Sequence, residues 1–147
     1  HKGRAAPKGD PLSEDVLNRI KQRSRLNDHD YGTLRIGKML SGPPPPKIRD
    51  FLVAIAGNIN VEGIKWGGAA MQHLDTTDYL PDITAPILIL SANHDIVVKP
   101  ASLAALIADL PEAHHVEMQG VGHAPYCEDA NTFNSLVEQF IDRHSGS

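Results

Sequence analysis

The rhythm of hydrophobic and polar positions changes part-way along the chain. Up to about residue 80 apolar residues recur at helical spacing with interruptions; beyond it, short continuous apolar runs alternate with helical stretches. Ser13 followed by Glu14 and Asp15 predicts an N-cap and an acidic first turn. Leu12 and Leu17 stand at the staple positions, and Val16, Leu17 and Ile20 share a docking face. Ahead of this helix, His1–Pro11 is rich in Gly, Pro and charge and reads as a loose leading segment. A weaker helix is expected over 30–40, with Tyr31, Leu34 and Met39 as contacts and Gly32 and Gly37 counting against it. Ser41-Gly42 and the four prolines after it exclude helix and central strand and read as a rigid connector. Lys47–Ala56 resumes helical spacing with Ile48, Phe51, Leu52 and Ile55 as its apolar face, closed by Gly57-Asn58. Val61–Leu74 predicts another helix, interrupted at Gly67-Gly68.

The second half is more regular. Ile87–Leu90, behind Pro86, fits a strand buried on both faces, as in a parallel sheet. Pro100–Leu110 puts Leu103, Leu106, Ile107 and Leu110 at helical spacing behind a proline suited to a first turn. His115–Met118 is a second strand, and Gly120 and Gly122 bracket a tight turn. Thr132–Arg143 is the clearest amphipathic helix, with Phe133, Leu136, Val137, Phe140 and Ile141 on one stripe. Strand, loop holding Asp95, helix, strand, loop holding His123 describes a parallel crossover with an acid and a histidine at one sheet edge. That carboxyl edge is where ligands bind in α/β sheets. The expected fold class is therefore α/β, with residues 1–80 a helical covering region and 81–147 part of the sheet-bearing core.

Charge and composition narrow the function classes. A net charge of −4 and a pI near 6.0 supply no basic field for nucleic acid or an anionic membrane. Arg19, Lys21, Arg23 and Arg25 read as a solvated helix face. The single cysteine, Cys127, excludes an internal disulfide framework, and the histidines show no metal-binding spacing. No apolar run approaches the roughly 20 residues that span a bilayer, and His1–Pro11 lacks the apolar centre of a signal peptide, so a cytoplasmic location is expected. No serine has a G-x-S-x-G frame; Gly63-Ile64-Lys65-Trp66-Gly67 has the glycines but a lysine between them.

From Asp75 to His144 the chain resembles the α/β-hydrolase superfamily. The likeness is carried by Asp82-Ile83-Thr84-Ala85-Pro86 before a strand, Asp95 followed by Ile96, Val97 and Val98, and Pro100 opening the next helix. It continues with Gly120-Val121-Gly122-His123-Ala124-Pro125, Glu128 and the helix from Phe133 to Ile141. The resemblance implies Asp95 as the acid and His123 as the general base of a Ser-His-Asp triad, with residues 1–80 as a cap. Trp66, Met71, Ile96, Val97 and Tyr126 would contribute to substrate binding, although core or lid packing is the plainer role for Trp66, Met71 and Tyr126. Cys127 is then a neighbour of the base and not the nucleophile. Taken singly, Asp95 fits equally well as a helix cap near Pro100, and His123 as a structural histidine.

The chain departs from the family pattern in two places: Ala92 stands where a glycine is common, and the nucleophile elbow is missing. Two parallel strands do not complete a sheet, so the serine and its oxyanion donors are expected on a preceding N-terminal hydrolase segment, present as a partner chain. The reaction expected is hydrolysis of a small-molecule ester or lactone, needing no metal or organic cofactor. Acyl transfer, dehalogenation, C–C cleavage or non-catalytic small-molecule reception are the rivals on the same fold.

Overall fold

Glu14–Arg25 forms α1 and Asp28–Ile36 forms α2 in the computed structural model, which describes residues 6–7 and 9–145. Pro46–Gly57 is α3 and Val61–His73 is α4, followed by a 3-10 helix over Thr77–Asp82. Strand β1 (Leu88–Ala92) then leads through α5 (Pro100–Asp109) to β2 (His114–Met118), a short α6 (Pro125–Glu128) and α7 (Ala130–His144). Among the described residues the chain divides into two compact units. One takes the residues up to Ile36 with Arg49–Leu80; the other takes Gly37–Ile48 with Pro81 onward. No described helix is long and apolar enough to cross a membrane.

The first unit is a helical cluster around Val16, Tyr31 and Ile64, with Leu12, Ile20, Leu26 and Ile59 packed against them. Leu17, expected on the docking face, is exposed, and Ser13 sits at the N-cap without a side-chain capping bond. The start of α2 is set by Asn27, whose Oδ1 accepts the Asp30 N–H at 2.9 Å, and the helix ends at Ile36, short of the expected 40. Arg23 is not part of a solvated face. Its guanidinium lies 5.5 Å from the Tyr31 ring centre, and its Nε donates to the Ile59 carbonyl at 2.6 Å.

Glycines here set how closely helices approach. A Cβ at Gly32 would lie 2.1 Å from the Val53 carbonyl oxygen, and one at Gly57 would lie 2.2 Å from that of Asp28. The buried stripe of α3 is therefore Val53 and Gly57, whereas Phe51 and Ile55 of its predicted apolar face are 63% and 57% exposed. Gly67-Gly68 does not interrupt α4; a Cβ at Gly68 would lie 2.7 Å from a methyl of Val16, so that glycine admits α1. Lys65, between Gly63 and Gly67, is on this helix and pairs with Glu62. The described part of the leading segment is pinned, because buried Gln72 accepts the Ser13 N–H at 2.9 Å and donates to the Pro11 carbonyl at 2.8 Å.

The second unit holds the parallel sheet with its flanking helices. β1 and β2 pair in register, Leu88 with His114 through Ala92 with Met118. Among the described residues they form a two-stranded sheet in which Ile89 is buried and the rest of β1 half-buried. This is less burial than the apolar run predicts. α5 and α7 follow their predicted spans closely, and α6 adds a turn that the sequence pattern does not announce.

Candidate active site

The chain leaves β1 through Asn93-His94 and arrives at Asp95; it leaves β2 through Gln119-Gly120 and arrives at His123. Asn93 ties the two exits together. Its backbone N–H donates to the Met118 carbonyl at 3.1 Å, its Oδ1 accepts the Gly120 N–H at 2.7 Å, and its Nδ2 donates to Gln119 Oε1 at 2.9 Å. His94 adds a backbone bond to Val121 at 3.1 Å. Gly120 has φ 75°, a left-handed turn that suits glycine and directs the chain toward His123.

Asp95 Oδ2 lies 3.0 Å from His123 Nδ1. Asp95 Oδ1 accepts the N–H groups of Val97 and Val98 at 2.7 and 3.0 Å. The aspartate thus closes the turn of its own loop and orients the imidazole; it is not the cap of α5, whose N-cap is Lys99. Burial opposes ionisation of this carboxyl. The hydrogen bonds from His123, Val98 and Val97 and the charge of His123 outweigh it, holding the group below the usual aspartate range. In the neutral imidazole, a carboxylate on Nδ1 requires the proton there, which leaves Nε2 as a lone-pair acceptor. The pair is sheltered and still reachable, with the histidine side chain 30% and the aspartate 15% exposed.

The proposed binding residues fall into two groups. Ile96, Val97 and Tyr126 are neighbours in sequence of the pair and are 78%, 49% and 55% exposed, with Tyr126 set edge-on to Phe133 at 6.0 Å. Trp66 and Met71 belong to the first unit and are 82% and 56% exposed. Within this chain none of Trp66, Met71 and Tyr126 is buried in a core. Cys127 is half-buried, and burial together with the Glu128 charge pushes its thiol up, away from the thiolate that a nucleophile needs. Ser91 Oγ lies 2.8 Å from His115 Nε2, but Ser91 is within β1 and not on a strand-to-helix elbow. Among the described residues no histidine, cysteine or carboxylate cluster is arranged to hold a metal ion.

Residues 5–130 match the alpha/beta hydrolase fold family. The chain belongs to that family. It is 34% identical over 76 residues to a protein of Pantoea ananatis named for carbamate hydrolysis, RutD, a match covering 52% of this chain and 28% of that protein. It is 27% identical over 130 residues to a pimeloyl-[acyl-carrier protein] methyl ester esterase of Xanthomonas oryzae pv. oryzae, covering 88% of this chain and 44% of the esterase. Among solved structures, the enol-lactonase of Burkholderia xenovorans LB400 superposes with a TM-score of 0.74 at 20% identity, over 88% of this chain and half (50%) of that one. A thermophilic esterase from Thermogutta terrifontis gives 0.72 at 19% identity, over 95% of this chain and 53% of that one. These two likenesses carry the fold. This α/β-hydrolase chain spans about half the length, or less, of each of these proteins.

Asn93 is the site residue that sequence reasoning missed. An asparagine two positions before an acid is an ordinary turn residue, and nothing in its spacing points to the loop it holds.

Proposed function

We propose that this chain supplies the acid and base of a serine-type α/β-hydrolase that cleaves a carboxylic ester or lactone of a small molecule. The observation carrying the proposal is the Asp95–His123 hydrogen bond at 3.0 Å, formed by two loops that leave adjacent parallel strands at the same end. A serine on a preceding hydrolase segment, which would also furnish the oxyanion donors, attacks the substrate carbonyl carbon while Nε2 of His123 takes its proton. Asp95 stabilises the imidazolium that results, and His123 returns the proton to the leaving alkoxide as the acyl–oxygen bond breaks. Water activated by the same histidine then releases the acid. Ile96, Val97 and Tyr126 would offer apolar surface to the substrate beside the pair. The match to a protein named for carbamate hydrolysis favours a second reading, in which the same steps act on a carbamate carbonyl.

The test uses the intact protein with its nucleophile-bearing segment, a chromogenic short-chain ester, and the variants His123→Ala and Asp95→Asn. Each variant is expected to lower kcat by about 10³- to 10⁴-fold with little change in KM. Undiminished turnover in folded His123→Ala would remove the proposal.

A further inference from the structure

Glu128 lies at the end of α6 and reaches back over the loop that carries His123. Its Oε1 accepts the Gly122 N–H at 2.8 Å. Its Oε2 accepts both the backbone N–H of Ser41 at 2.7 Å and the Ser41 hydroxyl at 2.6 Å. The same hydroxyl is 2.9 Å from the Gly120 carbonyl, and the His123 N–H donates to the Met39 carbonyl at 2.7 Å. The loop from Gly120 to His123 is therefore fastened to Met39–Ser41 by the Glu128 bridge from Gly122 and by the bond from His123 to Met39, with the one Ser41 hydroxyl proton serving Glu128 or Gly120; by sequence this stretch reads as the lead into a connector. Space is short as well: a Cβ at Gly122 would lie 2.8 Å from Ser41 N and 2.9 Å from Met39 O.

These contacts hold the side of the histidine loop that Asn93 and His94 do not. The imidazole donates one hydrogen bond, to Asp95, and its ring position otherwise follows its backbone. A carboxylate taking three donors is a charge-assisted anchor, stronger and more directional than a neutral one. Both Glu128 oxygens are engaged with the backbone of this loop and of Ser41, a role in holding the chain.

We propose that Glu128, together with Ser41, is a positioning residue that fixes the His123 backbone so that Nδ1 stays on Asp95 and Nε2 stays bare. This rests on the hydrolase reading for its kinetic consequence, but not for its structural one. Displacing a catalytic group by about 1 Å costs on the order of 10²-fold in rate, so loosening the clamp acts on kcat and not on substrate affinity.

The experiment compares wild type, Glu128→Ala, Glu128→Gln and Ser41→Ala in the intact protein. It measures the His123 tautomer by long-range proton–nitrogen NMR, the ester kcat and KM, and the melting temperature. Wild type is expected to show the Nδ1–H tautomer. Glu128→Ala is expected to give a tautomer mixture and about a 10- to 100-fold lower kcat with KM within about threefold. Glu128→Gln keeps one acceptor for Gly122 and should restore part of both readouts. If Glu128→Ala does not fold, Ser41→Ala, which removes one hydroxyl, carries the test with a smaller change in the same direction. A folded Glu128→Ala or Ser41→Ala with wild-type tautomer and kcat overturns the proposal, as does a loss of melting temperature with both unchanged. A tautomer shift in a protein that hydrolyses no ester would retain the clamp and remove the hydrolase reading; normal turnover in Glu128→Ala would do the reverse.

Discussion

Asp95 divides its carboxylate between two tasks, with Oδ2 3.0 Å from His123 Nδ1 and Oδ1 on the backbone of Val97 and Val98. Because the folded state holds this carboxyl below the usual aspartate range, the unfolded chain binds its proton first as pH falls. The stability it contributes is full above the unfolded pKa of about 4 and is lost as pH drops through the lowered folded value. Urea unfolding of wild type and Asp95→Asn across a pH series should show a gap that narrows as pH falls below about 4. A gap that widens as pH falls below about 4 would contradict the assignment of charge to Asp95.

Three glycines in the helical unit should respond to alanine in opposite senses. At Gly32 and Gly57 the new methyl meets backbone carbonyl oxygen at 2.1 and 2.2 Å, so the helices must separate. Each substitution is expected to cost about 1–3 kcal/mol or more. A Cβ at Gly67 meets nothing within 4 Å, and there alanine should stabilise α4 by about 0.5–1 kcal/mol. Thermal or urea unfolding reads both signs.

Tyr31 is fully buried, and its hydroxyl has no hydrogen-bond partner among the described residues. The ring supplies the packing and the Arg23 contact, whereas the buried hydroxyl is left without the bond that would offset its desolvation. Tyr31→Phe should therefore be neutral or stabilising by up to about 1 kcal/mol, while Tyr31→Ala should cost about 3–5 kcal/mol. Urea unfolding of the two variants distinguishes the contributions.

The crossover and its two chemical residues were legible because their signals are local. An apolar run ending in a polar turn marks a strand whatever surrounds it, and Pro100 marks a helix start. The second α3 face was not legible. Phe51 and Ile55 look like core by hydropathy, but the side that is buried is the one narrow enough at Gly57 to meet Asp28. Gly32 counted against a helix by propensity and is present because Val53 passes over it. Arg23 read as solvated because periodicity does not reveal that Ile59 offers it a carbonyl. Contacts such as Ser41 to Glu128 join positions 87 apart, and a single sequence carries no trace of them.

The central claim, that Asp95 and His123 serve a serine lying outside these residues, is met most directly by fluorophosphonate labelling. The intact native protein and its His123→Ala variant would be treated with the probe, and the modified peptide located by mass spectrometry. The account predicts one labelled serine in wild type, outside residues 1–147, with labelling largely lost in the variant. An adduct on a serine of this chain such as Ser91, or no adduct on folded wild-type protein, would contradict it.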